Sequence, residues 1–235
     1  MKRLLIAIAV TLLIPAAALA DLHGAWTITE SDDDCLHLNL TTGNWSNWGR
    51  SVRASDIGLD PATIHSATAK LVKFEMRREP GTISFEGTFK LGDGAGQLYF
   101  TPNPNFAAAI RGLGIEDDLL ADRTEDEKLL SLALVDVTVA YARSMKSMFP
   151  EITFRELRRA RGVDLTAEYV TQMRAVGVNF TTAREAARLK SLNVTPKYVN
   201  ELAAAGYKNL SFDQLRRFAT HGITPEFIRR MTRKD

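Results

Sequence analysis

Cysteine is nearly missing from this sequence. Cys35 stands alone among 235 residues, which excludes an intramolecular disulfide. It follows Asp32-Asp33-Asp34, not the small apolar residues of a lipidation site, and reads as a buried strand thiol. Histidine is scarce too. His23, His37, His65 and His221 are scattered, with no H-E-x-x-H and no pair of cysteines, so no metal-ligand set is expected. The acidic triplet lacks the spaced ligands and the glycine of a calcium loop and reads as a solvated turn. There is no G-x-G-x-x-G, no P-loop and no G-x-S-x-G. Gly92-Asp93-Gly94-Ala95-Gly96 lies between two strand-like stretches, whereas a phosphate loop needs a helix N-terminus behind it, so this segment reads as a turn. The expectation is a non-enzymatic chain with no catalytic residue and no cofactor.

A charge excess is also missing. Residues 21–104 hold 7 Lys and Arg against 11 Asp and Glu, while residues 105–235 hold 21 against 17. The two halves cancel, and a nucleic-acid partner would call for a basic surplus. Apolar runs are confined to the start. Lys2 and Arg3, the run Leu4–Leu13 and Ala18-Leu19-Ala20 compose a signal peptide over residues 1–20. Pro15 interrupts the run short of spanning length. The expectation is therefore a periplasmic or secreted protein, beginning at Asp21, with no stable membrane span and no nucleic-acid partner.

What is present divides near Pro102-Asn103-Pro104. Residues 21–104 alternate in the period of strands. Trp26 and Ile28, then Leu36, Leu38 and Leu40, are spaced two apart, and 44–50 is a third candidate. Asp60-Pro61 reads as the start of a short helix ending near His65. Val72 to Arg77 and Ile83 to Phe89 alternate around Pro80-Gly81, which reads as a hairpin with a type II turn. With Leu98 and Phe100 on a last strand, five or six antiparallel strands are expected.

Residues 105–235 carry a repeat. Thr166-Ala-Glu-Tyr169, Thr195-Pro-Lys-Tyr198 and Thr224-Pro-Glu-Phe227 recur every 29 residues. So do Thr153-x-x-Glu156, Thr182-x-x-Glu185 and Ser211-x-x-Gln214, each the pattern of a capping box. In the first series Pro196 and Pro225 fall where a helix needs no N–H. Asp164, Asn193 and Gly222 precede each second cap and suit a left-handed turn. Each unit is thus a hairpin of two short helices. A weaker unit starts at Thr124-x-x-Glu127, where 124–148 reads equally as one long helix or as a hairpin. The expected class is α+β: an antiparallel β domain at 21–104, then helical hairpins at 105–235 in units of about 124–152, 153–181, 182–210 and 211–235. Tyr169, Tyr198 and Phe227 are expected at equivalent buried or half-buried positions, with Met173, Leu202 and Met231 one turn later.

Two places suit a partner. Trp45 and Trp48 lie near Arg50; three apart on a strand, they are expected on opposite faces, either both packed on the sheet or with one exposed as an anchor. Arg159, Arg188 and Arg217 share one repeat register, so stacking aligns them as a basic stripe: a solvated face, or a groove for an acidic partner.

Both halves resemble a bacterial family. The resemblance rests on Asn47-Trp48-Gly49-Arg50, Phe74-Glu75-Met76-Arg77-Arg78-Glu79-Pro80-Gly81, Phe85-Glu86-Gly87-Thr88-Phe89 and Gly94-Ala95-Gly96, with Gly222-Ile223-Thr224-Pro225-Glu226-Phe227 in the repeats. Such segments are similar to the extracytoplasmic extensions of integral-membrane zinc metallopeptidases of the beta-lactam-sensor type. The peptidase part has no counterpart here, so the resemblance implies a sensor-like or adaptor module that binds an envelope protein or peptide. A second reading is a carrier of a small apolar ligand in the β domain, since His23-Gly24-Ala25-Trp26 is similar to the Gly-x-Trp start of lipocalin-like barrels.

Overall fold

The structure is a computed structural model that describes residues 22–30, 35–43, 45–115, 117 and 123–232. The signal peptide and the acidic triplet Asp32–Asp34 lie outside the described residues. Two compact units are present. The first takes in 83–101 and the chain up to Met76; the second takes in 77–82 and everything from Pro102 onward.

The first unit contains one antiparallel sheet. Its strands are β1 (Leu22–Glu30), β2 (Cys35–Thr42), β3 (Trp45–Arg53), β4 (Lys70–Arg78), β5 (Gly81–Lys90) and β6 (Asp93–Pro102), in the order β3-β2-β1-β6-β5-β4. Between β3 and β4 runs a short helix, α1 (Pro61–Ile64). Alternation sets the buried face: Trp26, Ile28, Leu36, Leu38, Leu40, Phe85 and Leu98 are all buried. At its centre four rings meet. Phe74 stacks on Phe85 at 4.5 Å, and Trp26 meets Phe74, Phe85 and Phe89 at 5.4, 6.2 and 5.7 Å. Cys35 is half-buried at the start of β2, not fully buried as expected, because alternation puts it on the face opposite the buried Leu36, Leu38 and Leu40.

Three local expectations need correction. The β5–β6 turn is Leu91-Gly92, with φ of 53° and 88°, and the remaining glycines belong to β6. Their role is close packing. A Cβ on Gly96 would lie 2.0 Å from the Glu86 carbonyl, and one on Gly94 would lie 2.6 Å from the Phe89 ring. The β4–β5 turn is not type II, because Gly81 has φ 158° where that turn needs about 80°. Finally, β3 carries a bulge. Trp48 pairs with Leu40 and Trp45 with Thr42, so three residues of β3 face two of β2. The two tryptophans therefore stand opposite β2 residues of the same parity, and the opposite-face argument fails.

The second unit is a row of helical hairpins. Its helices are α2 (Pro104–Gly112), α3 (Glu125–Leu134), α4 (Val139–Met148), α5 (Phe154–Gly162), α6 (Ala167–Ala175), α7 (Ala183–Ser191), α8 (Pro196–Ala204), α9 (Phe212–Thr220) and α10 (Pro225–Thr232). Residues 124–148 form a hairpin: Asp136 takes φ 58° between α3 and α4, as Asp164 (51°), Asn193 (55°) and Gly222 (62°) do in the later units. Thr124, Thr153, Thr182 and Ser211 each accept the N–H three residues on. Only Thr124 and Ser211 complete the capping box. Glu185 reaches past Thr182 to take the Thr181 N–H at 2.7 Å, and Glu156 turns toward Arg184 at 3.8 Å.

α2 is a half-unit that begins at Pro102-Asn103-Pro104, where the composition changes. Asn103 caps it, Pro104 opens it, and Gly114 ends it at φ 63°. Phe106 stands where Tyr169 and Tyr198 stand in the later units, three residues past the cap, and is buried. The α4 N-terminus is capped from 77–82. Glu79 accepts the Val139 N–H at 2.7 Å, and Arg78 lies 3.4 Å from Asp136.

Candidate interaction surface

Within the second unit the hairpins sort into two rows. α5 packs on α7 and α7 on α9, while α2, α4 and α6 pack in the other row and α8 packs on α10. A hydrogen-bond ladder joins successive units. Tyr141 donates to the Leu165 carbonyl at 3.0 Å, Tyr169 to Val194 at 2.8 Å and Tyr198 to Ile223 at 2.6 Å. Each acceptor is the residue just before the next second-helix cap. Burial pushes the phenols of Tyr141, Tyr169 and Tyr198 above their ordinary pKa, so they remain O–H donors. Arg161 lies over the Tyr141 ring at 5.5 Å and Lys190, its equivalent 29 residues on, over Tyr169 at 5.1 Å.

The ladder explains where the aromatic register fails. Tyr169 is 7% exposed and Tyr198 half-buried, but Phe227 is 43% exposed and Met231 59%. The expectation of a buried Phe227 and Met231 is wrong because no following unit lies among the described residues to cover them. Phe227 has no hydroxyl to donate such a bond.

The row α5, α7, α9 carries an open cleft of about 880 Å³. Arg159 and Arg188 line it, Val163 and Ala187 supply apolar wall, and Phe212 stands at the α9 side. Its two acids are committed: Glu156 to Arg184 and Glu185 to the Thr181 N–H. Arg217 occupies the next step of the same register, outside the cleft lining. All three stripe arginines are exposed, and among the described residues none has a carboxylate partner. Their neighbours differ: Arg216 pairs with Asp213 at 3.2 Å and Arg161 with Asp164 at 2.6 Å. Beside Arg159, the Nε of Arg158 is buried without a hydrogen-bond partner. Burial first, and then the positive charges of Arg123, Arg159 and Arg155, hold its pKa below the ordinary value.

The other candidate place is less developed. Trp48 is half-buried on β3, opposite the buried Leu40. The side chains of Trp45 and Arg50 lie outside the described residues. Among the described residues, no three His, Cys, Asp or Glu side chains gather closely enough to hold a metal ion, and no helix is long and apolar enough to cross a membrane. No protein-family model, curated protein or solved structure matches this chain.

Proposed function

We propose that this chain is an exported, non-enzymatic interaction module, sensor-like or adaptor in kind, that binds an envelope protein or peptide through the helical hairpins. One observation carries the reading: Arg159, Arg188 and Arg217 repeat along adjacent helices, two of them in a cleft, and none of the three forms an ion pair with a carboxylate among the described residues. Exposed cations are usually paired or scattered. A row held in register gives a directional field that steers an acidic partner. The cleft supplies apolar wall for affinity, and Trp48 is a second anchor on the β unit. The resemblance to metallopeptidase extensions fits a sensor-like role. The carrier reading has less support, because four packed rings occupy the centre of the sheet's buried face.

The test is capture from envelope extract. The parent protein retains a partner, Trp48→Ala weakens retention at every salt concentration, and the combined Arg159→Glu, Arg188→Glu and Arg217→Glu change weakens it chiefly at low salt. Retention that neither change alters, in folded protein, removes these surfaces from the account.

A further inference from the structure

The interaction reading leaves the chemistry of the partner open, and the geometry of the stripe narrows it. Packed helices lie about 8–10 Å apart axis to axis. The equivalent arginines on α5, α7 and α9 therefore recur at about that step. An extended peptide meets such a row one side chain per helix only if its own side chains repeat at the same distance on one face. A β-strand does not: residues three apart span about 10 Å but point to opposite faces. A polyproline II segment does. It rises about 3.1 Å per residue with three residues per turn, so every third side chain returns to the same face after about 9.3 Å.

Resting on the interaction reading above, we infer that the cleft and stripe bind an acidic segment in polyproline II conformation, with a carboxylate at every third position. Arg159, Arg188 and Arg217 each receive one carboxylate, and the backbone runs across α5, α7 and α9. Val163 and Ala187 form apolar wall against which the intervening residues lie. Glu156 and Glu185 also line the cleft; Arg184 offsets Glu156 at 3.8 Å, while Glu185 keeps its charge on the Thr181 N–H, so the ligand's carboxylates are received at the exposed Arg159, Arg188 and Arg217. Guanidinium groups suit this task because their planar fork donates two parallel N–H hydrogen bonds to a carboxylate.

The probes are three labelled nonapeptides of the same length, titrated against the full chain by fluorescence anisotropy at low ionic strength. One is Glu-Pro-Pro repeated three times, one has the same composition with its glutamates clustered at one end, and one replaces Glu by Lys. The register-matched peptide binds about tenfold tighter than the clustered one, and the lysine peptide does not bind; three exposed ion pairs supply an effect of this order. Arg159→Gln, Arg188→Gln and Arg217→Gln each weaken the matched peptide about threefold. Arg229→Gln, whose parent side chain pairs with Glu226 off the stripe, leaves it unchanged. These exposed substitutions preserve the fold, which circular dichroism checks. Equal binding of the matched and clustered peptides overturns the inference, as does binding that survives all three Arg→Gln changes. If no peptide binds but the captured envelope partner still depends on the stripe, this inference falls and the interaction reading stands. Binding to phosphatidylglycerol vesicles in place of the peptides, lost on Arg→Gln, assigns the stripe to a membrane surface and overturns both.

Discussion

Replacing Tyr169 by Phe removes one oxygen atom and tests whether the tyrosine ladder holds the units together. The ring stays, so packing against Phe180 at 6.5 Å and the Lys190 contact at 5.1 Å survive. What is lost is the 2.8 Å hydrogen bond to the Val194 carbonyl, in a buried setting. A buried acceptor left unsatisfied costs about 1–3 kcal/mol. Tyr198→Phe removes the equivalent 2.6 Å bond at a half-buried site, where water can replace it, and costs about 0.5–1.5 kcal/mol. Urea and thermal unfolding of the full chain read both changes. Because a repeat array is stabilised mainly between neighbours, hydrogen exchange in Tyr169→Phe rises most from α7 onward. The ladder also gives a pH signature. The folded-state pKa of Tyr141 and Tyr169 lies above the unfolded value of about 10. Their contribution is therefore complete below pH of about 10 and is lost as pH rises toward the folded-state pKa. The Tyr141→Phe, Tyr169→Phe double variant has a flatter alkaline limb. If Tyr169→Phe is neutral, or costs less than Tyr198→Phe, the reasoning is refuted.

Two further outcomes follow from the same geometry. Thr195→Ala and Thr224→Ala each cost about 0.5–2 kcal/mol, since each hydroxyl takes an N–H that otherwise has no partner; unchanged melting of both would count against the hairpin caps. Gly96→Ala disrupts the sheet core, because its Cβ would lie 2.0 Å from the Glu86 carbonyl and 2.6 Å from the Gly87 Cα; a cost of about 3 kcal/mol or more is expected, and a well-folded variant with parent stability contradicts the packing described.

The hairpin array was legible because one period runs through several independent signals. Thr195, Pro196 and Asn193 each mark a different point of the same unit, and all three agree. Where only one signal was used, the reading failed. Asn103-Pro104-Asn105-Phe106 repeats the cap, proline and aromatic of 195–198, and Gly114 stands 11 residues past its cap as Gly206 does. The period hides it, because Thr124 follows the cap by 21 residues, where Ser211 follows Thr195 by 16. From composition Gly94 and Gly96 read as turn residues, because composition does not say whether a glycine bends the chain or makes room for a ring. The β3 bulge overturned the parity of Trp45 and Trp48, and alternation alone does not show a bulge. Of the site, the alignment of Arg159, Arg188 and Arg217 was legible from register. Their lack of carboxylate partners was not, because pairing depends on how Glu156, Glu185 and Asp213 turn in space. The tyrosine ladder left a faint trace: tyrosine at 141, 169 and 198, with phenylalanine at 106 and 227.

The central claim, that an uncompensated arginine row steers a partner to the hairpin array, is tested most directly by association rate against salt. Surface binding of the Glu-Pro-Pro peptide or of a captured envelope partner gives the rate constant over a range of ionic strengths. The account predicts a steep fall in the parent protein as the screening length shrinks below about 10 Å, and for the Arg159→Glu, Arg188→Glu, Arg217→Glu variant a slow rate that rises as salt screens the like charges. Identical slopes for the two proteins would contradict it.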